Sequence, residues 1–93
     1  MDGQNEIGEL RARIDQLDDQ ILDLMAERVR VALRIAELKR ERGLPLYNPE
    51  RERDIFTRLC ARATSPLVPS MVRRIFERLI DETRWAEQRA PGG

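Results

Sequence analysis

A heptad ladder occupying about a third of the chain limits what this sequence can fold into. Ile7, Leu10, Ile14, Leu17, Ile21, Leu24, Arg28, Val31, Ile35 and Leu38 follow one another at spacings of three and four, the pattern of a helix whose apolar seam meets another helix. A helix over residues 6 to about 42 is roughly 55 Å long at 1.5 Å per residue. A compact globule of 93 residues has a radius of gyration near ~12 Å, a diameter of roughly 30 Å. Such a chain either stays elongated or wraps a second copy of itself, and a sustained seam favours the second copy.

One rung of the ladder is a cation. Arg28 stands where every other rung is apolar, and an unpaired guanidinium in a helical seam is costly. It snorkels to the seam's edge, pairs with an acid such as Asp18 or Glu52, or faces an anionic ligand at that level. Lys39 follows eleven residues later, close to three whole turns, and so points from nearly the same face.

Composition narrows the chemistry. Seventeen lysines and arginines balance seventeen aspartates and glutamates, so no net field draws nucleic acid or an acidic membrane surface. Acids are interleaved with the basic residues throughout, and only four residues are aromatic, which further disfavours nucleic-acid binding. The chain has no histidine and a single cysteine, Cys60. Metal sites and acid–base catalysis therefore lose their commonest ligand and base, and no intrachain disulfide can form. No cofactor is expected. With no signal-like apolar stretch and no window approaching a membrane span, the expectation is a soluble, cytoplasmic protein. From ninety-three residues the expectation is one small domain with a core that is marginal on its own.

Beyond the long helix, Gly43 supplies a stop, and Pro45 and Pro49 bracket an extended segment. Asn48-Pro49 reads as an N-cap followed by proline at the first helical position. The second helix is expected over 49–63, with Ile55, Phe56, Leu59, Cys60 and Ala63 on its apolar face. After a break at Thr64 to Val68, a third helix is expected over 69–88, with Val72, Ile75, Phe76, Leu79, Ile80 and Thr83 on one face. Residues 89–93 should fray. The expected fold is all-α, three helices per chain, in an intertwined antiparallel homodimer.

Arg11 lies four heptads before Lys39, about 42 Å away along one straight helix, too far to share a small-molecule site within a chain. Two antiparallel helices paired about a centre near residue 22 would bring the partner's Arg11 beside position 33, between Arg28 and Lys39. Three cations around an apolar cavity suit a small dicarboxylate, because arginine–carboxylate pairs are strong when partly desolvated.

These residues also carry a family resemblance. Leu10-Arg11-Ala12-Arg13-Ile14-Asp15, Ala26-Glu27-Arg28, Lys39 and Pro49-Glu50-Arg51-Glu52 together closely resemble the all-helical class of chorismate mutases, over about residues 6 to 88. The resemblance implies an intertwined dimer of three-helix chains and the Claisen rearrangement of chorismate to prephenate. That reaction is unimolecular, with no nucleophile, metal or redox step. It implies that Arg11 from the partner subunit and Arg28 grip the two carboxylates, and that Lys39 donates to the ether oxygen. Arg51 would add to the cationic lining, and Glu52 would accept from the ring hydroxyl with the backbone near Asn48 assisting. Anchored on Phe76, the family's serine falls on Thr83 and its glutamine donor to the ether oxygen falls on Glu87. An ionised glutamate only accepts hydrogen bonds, so Glu87 must be protonated to donate; alternatively, the adjacent Gln88 takes the place. The family often has aspartate at the position of Asn48.

The sequence is also compatible with other functions. An isochorismate-pyruvate lyase of this fold usually lacks an acid at the Glu52 position. A mutase of 4-amino-4-deoxychorismate could turn Glu52 or Glu87 toward an amino group. A non-catalytic helical dimerisation module would use the seam alone, and a separate partner enzyme could modulate activity. Trp85 and Tyr47 have no assigned role and read as packing or edge residues.

Overall fold

A computed structural model describes residues 3–89. They form three helices, α1 (Gly3–Glu41), α2 (Pro49–Ala61) and α3 (Pro69–Arg89), and no strand occurs among the described residues. The chain divides into two compact units, Met1–Arg30 and Val31–Gly93.

The first unit is helical ladder. Its large apolar side chains are exposed, with Leu10 and Leu24 each 65% accessible and Ile7, Ile14 and Ile21 at half or more. Covering one such side chain contributes about 1.5–3 kcal/mol, so the ladder carries a large unused driving force. The helix begins at Gly3, one turn before the expected start. That turn contains a glycine and an asparagine, whose low helical propensity hides it from a sequence reading, while Glu6 complements the positive end of the helix dipole.

In the second unit α2 packs against α3. Its buried residues are Ala36 of α1, Ile55 of α2, and Val72, Ile80 and Thr83 of α3. Phe56, Leu59, Cys60, Phe76 and Leu79 are partly buried, but Ile75, expected on the apolar face, is 55% exposed. The guanidinium of Arg73 lies 4.4 Å from the centre of the Phe56 ring.

Local chemistry sets the helix ends. Gly43 has φ +67, its amide donates to the carbonyl of Arg40 at 3.2 Å, and the Leu44 amide donates to that of Lys39 at 2.8 Å. This is a Schellman stop, which needs a left-handed residue just past the helix. A Cβ at Gly43 would meet nothing within 4 Å, so Gly43→Ala is opposed by backbone conformation alone. We expect it to destabilise the chain by about 1–2 kcal/mol, read as a lower midpoint in urea unfolding. An unchanged midpoint would mean that the turn relaxes freely. At α2, the Asn48 side-chain oxygen accepts from the Arg51 amide at 3.1 Å, with Pro49 opening the helix. The helix stops at Ala61, two residues short of the expected end. The amides of Arg62 and Ala63 turn back to the carbonyls of Leu59 and Cys60, tightening the last turn. Arg89, expected to fray, is the last residue of α3; residues 90–93 of the expected tail lie outside the described residues.

Candidate active site

Most of the expected site residues fall within the second unit, at the end of α1, the start of α2 and the last turns of α3. The Schellman turn that ends α1 brings the chain back over Lys39, whose ammonium donates to the carbonyl of Leu46 at 3.4 Å. The neighbouring Arg40 donates from Nη2 to the backbone carbonyl of Glu87 at 2.6 Å, tying the end of α1 to the last turn of α3.

Glu52 follows the proline start of α2 by three residues and is partly buried. Its carboxylate is gripped by Arg84 of α3: Nε donates to Oε2 at 3.2 Å, and Nη2 donates to Oε1. The same guanidinium reaches Asp81 Oδ1 at 3.4 Å and lies 5.3 Å from the centre of the Tyr47 ring. Glu52, weighed from the sequence as a partner for Arg28, is thus the partner of Arg84. Donation to the Glu52 carboxylate raises Arg84 above its ordinary pKa, against the opposing effect of its burial.

Glu87 is partly buried, whereas the adjacent Gln88 is exposed. Burial raises the Glu87 carboxyl above its ordinary value, opposed by the charges of Lys39, Arg40 and Arg84 and assisted by that of Glu52. Five charged groups therefore share one electrostatic neighbourhood. Removing a carboxylate from water disfavours its ionised form, and the three cations only partly reverse this.

Thr83 is 5% exposed, and its hydroxyl donates to the Leu79 carbonyl at 2.7 Å. Its proton is therefore already committed to its own helix, and donation to a ligand carboxylate would require leaving that carbonyl. Asn48 is exposed and spends its side-chain oxygen on the α2 cap, and the Arg51 side chain is exposed. Arg11 and Arg28 belong to the first unit, where Arg11 is exposed and Arg28 partly buried.

The second unit thus assembles Lys39, Glu52 and Glu87 and adds two arginines that motif spacing does not reveal. Arg84 could have been found as the polar residue one turn after Ile80 and three before Glu87, on the face that meets α2. Arg40 bonds a backbone carbonyl, for which sequence carries no signal. Chemically, the arrangement offers a fixed ammonium, a two-pronged carboxylate and a carboxyl biased toward its neutral, donating form. No group of three or more candidate metal ligands, and no helix long and apolar enough to cross a membrane, occurs among the described residues.

The family profile described as Chorismate mutase type II matches residues 10–88. A bifunctional chorismate mutase/prephenate dehydratase of Aquifex aeolicus is 48% identical over 54 residues, covering 58% of this chain and 15% of that protein. A chorismate mutase of Methanocaldococcus jannaschii is 43% identical over 54 residues, covering 58% of this chain and 54% of that protein. The alignments thus span about half, or far less, of these relatives' lengths. Among solved structures, a form II chorismate mutase from Thermus thermophilus superposes with a TM-score of 0.88 at 32% identity, over 91% of this chain and 97% of the other. A chorismate mutase from Helicobacter pylori in complex with prephenate gives 0.81 at 32% identity, over 88% and 89%.

Proposed function

The chain belongs to the chorismate mutase type II family, and from that premise we propose that it rearranges chorismate to prephenate in a site completed by a second copy. The observation that carries this reading is the partly buried Glu87 in one electrostatic neighbourhood with Lys39 and Glu52. The family resemblance assigns those three residues as the ether-oxygen donors and the acceptor for the ring hydroxyl, and their grouping supports that reading.

In this rearrangement the ether C–O bond breaks as a new C–C bond forms within one molecule. Catalysis requires that the enolpyruvyl arm be held over the ring and that charge developing on the ether oxygen be stabilised. Lys39, steadied by the Leu46 carbonyl, donates to that oxygen. Protonated Glu87 donates from the opposite element, its last turn held by Arg40. Glu52 accepts from the ring hydroxyl, and Arg51 adds positive charge to the lining. Arg28 and Arg11 of the partner subunit grip the two carboxylates. Thr83 and Asn48 complete the lining, Asn48 through the backbone it caps.

The exposed ladder of α1 supports the second copy, because antiparallel pairing about residue 22 would cover those side chains and bring Arg11 of the partner subunit between Arg28 and Lys39.

The test is the loss of chorismate ultraviolet absorbance with purified protein, with chromatographic identification of the product. Prephenate is expected. No turnover of chorismate, with turnover of isochorismate or 4-amino-4-deoxychorismate instead, would overturn the assignment in favour of a relative of the same fold. No turnover of any of the three would favour the dimerisation module.

A further inference from the structure

Glu52 does not stand alone as an acceptor. Both of its oxygens are held by Arg84 from α3, Oε2 by Nε at 3.2 Å and Oε1 by Nη2. The guanidinium is itself braced, by Asp81 at 3.4 Å and over the Tyr47 ring at 5.3 Å. Such a fork fixes the plane of the carboxylate and balances its charge, yet each oxygen keeps a lone pair with which to accept one more hydrogen bond. Arg84 arises from α3 three residues before Glu87, so fork and carboxyl occupy one face of the helix. Lys39 and Arg40 approach Glu87 from the end of α1. With Glu87 protonated, three cations, Lys39, Arg40 and Arg84, stand against two carboxylates, Glu52 and Asp81, so positive charge is in surplus.

That balance distinguishes two substrates of the same shape. A ring hydroxyl is neutral and needs only an oriented lone pair. An ammonium at the same ring carbon needs an anion whose charge is not already compensated, and it is repelled by surplus positive charge. We propose that Arg84 is a specificity-determining positioning residue, which holds Glu52 as an acceptor for a ring hydroxyl and excludes a ring ammonium. This rests on the assignment of Glu52 to the substrate's ring hydroxyl. Arg84 itself touches Glu52 and not the reacting atoms.

The experiment compares kcat/KM for chorismate and for 4-amino-4-deoxychorismate, at a pH where the amine is protonated, in the wild type, Arg84→Gln and Arg84→Lys. The wild type should prefer chorismate. Arg84→Gln releases the Glu52 charge and should lower that preference by about tenfold or more, equivalent to about 1.4 kcal/mol. Arg84→Lys keeps the cation and should retain most of the preference even though it loses the fork. Equal losses on both substrates in Arg84→Gln, with the ratio unchanged, would reduce Arg84 to a structural brace and overturn the inference. Should Arg84→Gln fail to fold, a collapse of the ratio in Arg84→Lys would overturn it as well, since the cation is still present there. A wild type inactive on chorismate would instead refute the mutase reading beneath it.

Discussion

Arg28→Leu is expected to make the protein more stable and nearly inactive. The leucine completes an apolar ladder whose other rungs are Ile, Leu and Val, and covering it in that seam should contribute about 1.5–3 kcal/mol. Turnover of chorismate should fall by about 10²-fold or more, because a substrate whose carboxylate is no longer gripped loses its reactive geometry. The two halves of the result separate the competing accounts. A dimerisation module predicts the gain in stability and no catalytic effect, because the seam is then the whole function. Turnover kept at the wild-type level in a stabilised variant would remove Arg28 from the site. A large drop in both stability and turnover would show instead that Arg28 is held by a protein carboxylate.

Glu87 should set the pH dependence. Burial raises its carboxyl above the ordinary value, against Lys39, Arg40 and Arg84, so it stays protonated above the pH at which exposed glutamates ionise. In the proposed site it donates to the ether oxygen while protonated. Once ionised it can only accept, and it repels the charge developing there. Activity should therefore be full at the acid end and decline as pH rises through the raised pKa. Stability shares this sign, because the folded state holds the proton more tightly than the unfolded one. Its contribution is complete below the ordinary glutamate pKa and is lost as pH rises through the folded value. Glu87→Gln, a donor at every pH, should flatten the decline and surpass the wild type toward neutrality. A kcat/KM profile measured from mildly acid to neutral pH decides this. A flat profile in the unmodified protein would sink the role given to Glu87 and turn attention to Gln88.

What sequence revealed and what it concealed divide along physical lines. Helix α1 is legible because a seam of ten rungs is a long-range pattern that local propensity cannot mimic. The Gly43 stop and the Asn48-Pro49 start are legible because they are local chemistry, each settled within a few residues of chain. Lys39, Glu52 and Glu87 could be named from spacing and resemblance together. The Arg84–Glu52 fork could not, since its partners are 32 residues apart and meet only because α2 packs on α3. Thr83 was legible as an apolar-face residue, but its hydroxyl bond to Leu79 depends on a rotamer that no sequence pattern fixes. Ile75, on the same apolar face, is 55% exposed, since which part of a face is covered depends on packing that the pattern does not encode.

If chorismate is rearranged in a cationic site shared between two copies of the chain, two differently defective copies should restore it together. Arg11→Ala and Lys39→Ala, each nearly inactive alone, should be unfolded together, refolded as an equimolar mixture and assayed for prephenate. If the site takes Arg11 from the partner subunit, a mixed dimer holds one intact site and one doubly defective site. Random pairing makes half the dimers mixed, so about a quarter of wild-type turnover should return. A mixture no more active than its two components would contradict the shared site, and a wild-type control that forms no prephenate would contradict the account as a whole.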